Sequence, residues 1–543
     1  MKKSLFLFLS CFSYWLVSAQ TTAPQLNKYW VEFKDKNNSP YCTCRPAEFL
    51  SARAIERRSR AGIEVVENDL PVNPAYVQGL MAKNVALHGT SRWLNAATVT
   101  SDPATASKLK DLPYVKSVTY IGRHLKYRNP PNRPAKNRQP VVNYARPGGT
   151  VNPLGYAGRQ NSMLGLPPLY AAGYRGRDIR IAVMDGGFTN VDTMPFFDSI
   201  ALQGRLIVAR DFVERDTAVF EAAQHGTSVL SVMAANLPGF FVGGAPDATY
   251  YLMKTEDTGG EYPVEEANWI SGAEWADSAG VDIINASLGY TSFTDTTLSH
   301  TYRELNGQTA LASRGAAIAA TKGMIICNSA GNEGDDIWHY IGVPADAPGI
   351  VAVGAVDDEA KRATFSSFGP TADGRIKPDL VAPGDNVLTA GSVGTLLAIS
   401  SGTSLASPML AGAFAALWSA YPEKTAQEIM TAVYKSADQA GRPDNERGYG
   451  LPDMTAAWQQ LGGFAFNREA GELTVAYTGR AVTGNNKVEL QNALGQSIGK
   501  FPATYSPNDS ATLKVSGLTA LPPGAYRLII QDGPGTKQIT VLL

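Results

Sequence analysis

Four residues of this chain carry chemistry if the fold brings them together: Asp185, His225, Asn332 and Ser404. Asp185 closes the apolar run Ile181-Ala182-Val183-Met184 and is followed by Gly186-Gly187. An acid at the carboxyl end of a parallel strand faces the crevice where such sheets bind ligands, though a lone one is more often a turn or a helix cap. His225 begins His225-Gly226-Thr227-Ser228 and opens a helix of small residues, a place that neither His300 nor His339 occupies. Ser404 lies in Ser400-Ser401-Gly402-Thr403-Ser404-Leu405-Ala406-Ser407-Pro408, which runs into an apolar helix expected over Met409 to Leu417. Gly402 lets the chain turn, and free N–H groups at the helix start favour a developing negative charge; the plainer role for Ser404 is an N-cap. Asn332, in Asn328-Ser329-Ala330-Gly331-Asn332-Glu333-Gly334, is either a turn residue or an amide donor to an oxyanion. As a set they supply a nucleophile, a base, an acid that orients it and an oxyanion donor, which are the parts of acyl transfer.

The elements that must hold these residues follow from apolar patterning. Arg180 to Met184, Val281 to Ala286, Met324 to Asn328 and Ile350 to Val353 are continuous apolar runs between helix-like stretches. Strands of that kind form a parallel sheet covered by helices on both faces, so residues 151–460 are expected to be one α/β unit. A smaller α+β unit precedes it over 20–120. There Tyr29 to Phe33, Ser91 to Val99 and Val115 to Tyr120 are strand-like, while Pro46 to Gly62 and Ala104 to Leu112 are helix-like. Residues 461–543 alternate apolar and polar, as in Leu473 to Tyr477 and Tyr526 to Ile530, with Gly, Asn and Pro turns between. That pattern predicts a small β-sandwich. With 44% apolar residues, and 48 Lys+Arg against 49 Asp+Glu, the chain is neither disordered overall nor charged enough to draw in nucleic acid or an anionic membrane.

Two further segments are set apart by composition. Lys2-Lys3, an apolar stretch from Leu5 to Val17 and the small residues Ser18-Ala19 form a signal peptide over 1–19. No later stretch is apolar enough over a sufficient length to span a bilayer, so the expectation is a secreted or cell-surface protein without a transmembrane segment. Residues 121–150 hold seven Lys/Arg, five prolines and no acid, an exposed linker and a candidate cleavage site. Once the leader is gone, Cys42, Cys44 and Cys327 remain. The Cys-x-Cys pair is not expected to close on itself, a metal site there lacks further ligands, and Cys327 is expected to be a buried hydrophobe.

The order Asp185, His225, Ser404 differs from that of α/β-hydrolases and of chymotrypsin-like enzymes. Residues 175–460 resemble the catalytic domain of subtilisin-like serine peptidases, the subtilase family S8. The resemblance runs through the three motifs above and continues in Gly244-Ala245-Pro246-Asp247-Ala248, Asn285-Ala286-Ser287-Leu288-Gly289, Ser366-Ser367-Phe368-Gly369-Pro370, Lys377-Pro378-Asp379, Ala382-Pro383-Gly384 and Gly448-Tyr449-Gly450. Leu405 departs from the usual Met, a change that conserves volume. The resemblance implies Ser404 as nucleophile, His225 as general base, Asp185 as its orienting acid and Asn332 in the oxyanion hole. It implies that Ser287, Leu288 and Gly289 with Ser329, Ala330 and Gly331 pair with extended polypeptide substrate. No acid is identifiable at the base of the pocket for the residue before the scissile bond, which favours an apolar or broad preference.

The flanks carry their own resemblances. Residues 26–125, with Arg45-Pro46-Ala47-Glu48-Phe49-Leu50 and Arg57-Arg58, resemble the prodomain of secreted Bacteroidetes subtilases, which implies a zymogen blocked by its own prodomain. Residues 461–543, with Leu494-Gly495-Gln496 and Gly524 to Leu528, resemble a C-terminal type IX sorting domain, implying the secretion machinery as a partner; an accessory β-domain is the alternative. The chemistry implied needs no cofactor, and structural calcium is conceivable without being readable. The competing functions are a catalytically silent subtilase-fold binding module and an esterase using the same triad. Loss of the basic linker with the prodomain should leave a mature protein more acidic than the whole-chain pI of 6.6.

Overall fold

The computed structural model describes residues 25–123, 141–142, 153–467, 469–476, 487–506, 512–532 and 535–543. The expected signal peptide over 1–19, and all of the basic linker except 121–123 and 141–142, lie outside the described residues. Among the described residues no helix is long and apolar enough to cross a membrane.

The N-terminal unit comprises β1 (Asn27–Phe33), α1 (Ala52–Arg60), α2 (Pro74–Met81), β2 (Ala86–Ser91), β3 (Ala96–Ser101), α3 (Pro103–Leu109) and β4 (Val115–Arg123). Its strands form an antiparallel sheet in the order β2-β3-β1-β4. Ser51, Asn73 and Asp102 cap the three helices through their side chains, so each start is written locally. Three local expectations are corrected. The stretch Ser91 to Val99 is not one strand: it turns at 92–95, where Asn95 takes a positive φ of 49°, and joins β2 to β3. Pro46 to Gly62 is a single 3-10 turn followed by the shorter α1, because the Ser51 cap restarts the helix. Cys42 and Cys44 are bridged to each other; a turn in which the Arg45 N–H donates to the Cys42 carbonyl brings their Cα atoms to 5.2 Å, within reach of a disulfide.

After β5 (Val141–Val142) come α4 (Gly158–Met163), α5 (Pro167–Ala171), β6 (Arg180–Asp185), α6 (Asp198–Leu202), β7 (Leu206–Asp211) and α7 (His225–Ala234). Next are β8 (Asn236–Leu237), β9 (Phe241–Val242), β10 (Thr249–Lys254), α8 (Val264–Ala279), β11 (Ile283–Ala286), α9 (Leu311–Ala320), β12 (Ile325–Ser329) and β13 (Val351–Val356). The unit closes with β14 (Leu380–Pro383), β15 (Val387–Ala390), β16 (Leu397–Ser400), α10 (Thr403–Ala420), α11 (Ala426–Ser436) and α12 (Met454–Gly462). Seven strands pair in parallel in the order β14-β13-β12-β11-β6-β10-β7. Ile181 and Val183 of β6 pack with α7 and α10 on one face, whereas Ala182 and Met184 pack with α8 and α9 on the other. Burial on both faces is why the strands read as continuous apolar runs. Chain order reverses at β6, whose neighbours are β10 and β11, so the crevice at its carboxyl end is the switch point where ligands bind such sheets. The N-terminal sheet covers α8 and α9 through Trp30, Trp93 and Ile121.

Helix α10 starts at Thr403, six residues before the expected Met409, and carries Pro408 inside it. It is buried almost throughout, which accounts for its lack of a polar face. The C-terminal unit holds β17 (Phe464–Asn467), β18 (Glu472–Ala476), β19 (Lys487–Gln491), β20 (Ser497–Ser506), β21 (Thr512–Val515), β22 (Ala525–Asp532) and β23 (Gly535–Leu542). All pairings are antiparallel, and β20 gives its first half to β19 and its second half to β21. A strand that changes partner midway makes the corner between two sheet halves, which enclose Leu473, Val475, Leu490, Leu513, Leu528 and Ile530.

Candidate active site

Asp185 ends β6 at the switch point with its side chain 1% exposed. One carboxylate oxygen accepts from the Gly186 N–H at 2.8 Å, and both lie close to His225 Nδ1, at 2.8 and 3.0 Å. With Nδ1–H donating to the acid, Nε2 is the nitrogen left to accept a proton. His225 is the first residue of α7, and the helix passes so close to β6 that only glycine can follow it. A Cβ on Gly226 would stand 2.3 Å from the Gly187 carbonyl oxygen and 3.0 Å from Asp185 Cβ. Burial pulls the His225 pKa down, but the Asp185 carboxylate, by charge and hydrogen bond, outweighs it, with Glu256 adding, so the imidazole stays above its ordinary value. The other two histidines of this unit are engaged elsewhere: His300 bonds Glu266 at 2.9 Å and His339 stacks on Phe368.

Ser404 is the second residue of α10, which packs against α7. A Cβ on Gly402 would fall 2.9 Å from Ser404 Oγ, so this position also requires glycine. Asn332 Oδ1 accepts from the Thr403 N–H at 2.8 Å and from the Thr403 hydroxyl at 3.0 Å. With its oxygen committed twice, the amide presents Nδ2 as a donor beside Ser404. Asp185 and His225 are thus joined by hydrogen bonds, and Asn332 is joined to the turn that holds Ser404. Among the described residues no hydrogen bond links Ser404 Oγ to His225, a contact that commonly tightens only with substrate present.

Pro408 explains a contact that the sequence reading missed. In an α-helix the N–H of residue 408 would donate to the carbonyl of residue 404, and proline has none. The Ser404 carbonyl instead accepts from the Ser287 hydroxyl at 2.8 Å. Asn285 supports that hydroxyl, donating to it at 3.1 Å and accepting from Ser407 Oγ at 2.8 Å. The serine turn and the Ser287 edge are therefore locked together. The signal in the sequence was a proline four residues after the serine.

The six expected substrate-binding residues divide by how their groups are used. Ser287, Leu288 and Gly289 follow β11, with Gly289 exposed. Ser329 ends β12 and its hydroxyl donates to the Leu288 carbonyl at 3.2 Å. The Ala330 N–H donates to Val353 and its carbonyl accepts from Gly342; the Gly331 N–H donates to Thr403 Oγ1 and its carbonyl accepts from Ser367. The second segment is a wall already bonded to the protein, whereas the first is an edge.

Three acids outside the sequence reading border the site. Glu256 follows β10 and accepts from the Tyr290 hydroxyl at 2.8 Å; burial, above all, pushes its pKa up to about 8, with Glu261 and Asp185 contributing. Glu265 is raised in the same way by burial and by Glu256. The carboxylates of Glu256, Glu261 and Glu265 lie within 4.8 Å of one another, the one such grouping among the described residues able to hold a metal ion.

A sequence profile of the subtilase family matches residues 176–451, and one of the peptidase S8 propeptide domain of Bacteroidota matches residues 28–139, reaching into the basic linker. Subtilisin NAT of Bacillus subtilis subsp. natto is 32% identical over 302 residues, which is 55% of this chain and 70% of that protein. Subtilisin DY of Bacillus licheniformis is 30% identical over 292 residues, 53% of this chain and 94% of that protein. Serine protease AprX of Bacillus subtilis is 29% identical over 294 residues, 49% and 62% of the two chains.

Proposed function

The chain belongs to the subtilase family of serine peptidases and carries that family's propeptide domain, and on this premise we propose that it is an exported endopeptidase whose catalytic residues are Asp185, His225 and Ser404. Ser404 Oγ attacks the peptide carbonyl while His225 Nε2 takes its proton and later delivers it to the leaving amine. Asp185 holds the ring by Nδ1 and stabilises the imidazolium. Asn332 Nδ2 and the Ser404 N–H, at the start of α10, receive the oxyanion. Water then releases the acyl group by the same steps in reverse, and no cofactor enters this chemistry. The observation that carries the reading is the buried Asp185 carboxylate 2.8 Å from His225 Nδ1, on a helix packed against the one that has Ser404 in its first turn.

Extended substrate would pair with the Ser287–Gly289 edge, since Ala330 and Gly331 have their backbone groups engaged. A Cβ on Gly342 would be 3.7 Å from Gly289 Cα, and buried Ala330 and Ala345 adjoin, so small apolar residues frame this end of the cleft. That supports an apolar preference before the scissile bond. The propeptide domain would block the cleft until the chain is cut in the basic segment 121–150. Export would follow from the signal peptide at 1–19, and the C-terminal β-domain would serve sorting. A fluorophosphonate should label the processed protein and leave Ser404→Ala unlabelled; equal labelling of both would remove Ser404 as the nucleophile. N-terminal sequencing of the mature form should begin within 121–150, and an intact N-terminus on active protein would overturn the zymogen reading.

A further inference from the structure

Asp277 sits in the last turn of α8 with none of its side chain exposed. An acid there stands at the wrong end of the helix dipole, and α8 has no basic residue in its last turn to offset it. Three guanidinium groups bond this carboxylate, and all come from the N-terminal prodomain. Arg57 lies 2.6 Å from one oxygen, and Arg58 and Arg92 each lie 2.7 Å from the other. Arg57 and Arg58 project from α1, while Arg92 comes from the turn between β2 and β3, so two separate parts of the prodomain converge on one residue. The exchange is reciprocal. Lys322, just beyond α9, bonds prodomain Asp69 at 2.9 Å and Asn68 at 2.9 Å, and Arg58 bridges Asp69 and Asp277.

The prodomain also supplies what the end of α8 lacks. Its last carbonyls have no intrahelical donors. The Ser51 N–H donates to the Ser278 carbonyl at 2.9 Å, Arg57 to the Asp277 carbonyl at 3.4 Å and Arg53 to the carbonyl of the capping Gly280 at 3.1 Å. Arg57 also reaches the Lys322 carbonyl at 3.1 Å beyond α9. A residue that is unfavourable within its own domain and satisfied only by another has the character of a binding residue, since structural requirements of the peptidase do not explain it.

We propose that Asp277 is the anchor of the prodomain, a docking site for its paired arginines that lies at the opposite end of the sheet from the catalytic residues. Asp277 precedes the start of β11, whereas Asp185 and Ser287 lie at strand ends. The length of a six-residue strand, roughly 17 Å, separates the two levels. Prodomain retention and cleft occupancy are therefore separable properties of this zymogen. Once the prodomain leaves, Asp277 and Lys322 are freed together as an exposed acid–base surface that fits the same two-arginine segment in trans. The inference rests on the propeptide assignment and not on the assignment of the catalytic residues.

The test uses the full chain with Ser404→Ala, so that neither processing nor autolysis intervenes and failure of the catalytic reading leaves the measurement intact. Amide hydrogen exchange is followed in α1 and β1–β4 against β6 and β12. Asp277→Asn should raise exchange in the prodomain elements about tenfold or more while the peptidase strands keep their protection. Arg58→Leu should raise it too, and the double variant should fall short of the sum of the two, because the single variants share the Arg58–Asp277 pair. If Asp277→Asn is not recovered folded, Arg92→Met, which leaves two guanidinium groups on Asp277, is read in the same way with a smaller effect. Unchanged prodomain protection in the variants, or an effect equal to that of breaking the exposed Arg45–Glu48 pair, would overturn the proposal.

Discussion

Replacing Asn332 by Ala and by Asp separates its structural job from the oxyanion role proposed for it. The oxygen accepts from the Thr403 N–H and hydroxyl, which leaves the nitrogen to donate. Alanine removes both. Loss of one oxyanion donor costs about 2.7–4 kcal/mol of transition-state stabilisation, a magnitude known from subtilisin itself, or about 10²–10³ in kcat. The Thr403 N–H, on a residue with no exposed surface, is left without its acceptor and costs about 1–3 kcal/mol of stability. Aspartate keeps both bonds from Thr403 and adds a charge at the start of α10, worth about 0.3–1 kcal/mol, so stability should be held or slightly improved. Catalysis should be worse than with alanine, because a carboxylate about 4 Å from an oxyanion repels it by about 1–4 kcal/mol, depending on how far water screens the pair. kcat and KM on a chromogenic peptide anilide, with melting measured in the Ser404→Ala background, read the two effects apart. The expected pattern is wild type above Ala above Asp in kcat, with KM little changed, and Asp at or above wild type but Ala below it in stability. An aspartate variant within tenfold of wild-type kcat would refute the oxyanion role. Equal destabilisation by Ala and Asp would refute the account of Thr403.

Three further outcomes follow from the geometry. The raised pKa of His225 means that the base is protonated, and the enzyme idle, up to a higher pH than for a free histidine; the acid limb of kcat/KM should lie above pH 6.5. Asp185→Asn should move that limb down and lower kcat by about 10⁴, and an unmoved limb would remove the coupling. Ser287→Ala leaves the Ser404 carbonyl without its donor and should cost about 1–3 kcal/mol of stability, with kcat falling more than KM changes; Pro408→Ala restores a backbone donor and should recover part of that loss in the double variant, whereas purely additive effects would show that the two do not share this carbonyl. Asp69, drawn down to about 2 by Arg58, the Val66 N–H and Lys322 against the cost of burial, contributes about 2 kcal/mol wherever it is charged in both states. Its folded pKa is depressed, so that stability is present above pH 3.8 and lost as pH falls through 2; prodomain protection that fades between pH 6 and 4 in the Ser404→Ala chain would have to come from another group.

Much of this molecule was legible in its residues because the relevant physics is local. Covered parallel strands announce themselves as unbroken apolar runs, helix starts as Ser51, Asn73 and Asp102, and close approaches as Gly226 and Gly402. Asp185 at a strand end and His225 and Ser404 at helix starts stood out as candidates, because a side chain or a backbone N–H there faces a crevice; Asn332 stood out by its Gly-rich turn. What the residues did not disclose depends on contacts between segments distant along the chain. Ser91 to Val99 alternates like one strand, and only its pairing with β1 and β2 turns it into a hairpin. Cys42 and Cys44 close on each other because the surrounding turn, and not their spacing, sets the distance between their Cα atoms.

The sequence by itself determined the covered parallel sheet and the family, and it named the four residues proposed here for acyl transfer. The tertiary structure alone decided which groups those residues depend on. Thr403 turns the Asn332 amide, Ser287 takes over the carbonyl that Pro408 leaves open, and Glu256 enters the field of His225. It also decided that Asp277, an unremarkable acid near the end of a helix, would meet three arginines from a domain more than 180 residues earlier in the chain. Backbone preference and hydrophobic period act over a few residues and can be read in order. Charge pairing and the satisfaction of buried groups act across space, and the fold has to exist before they can be counted.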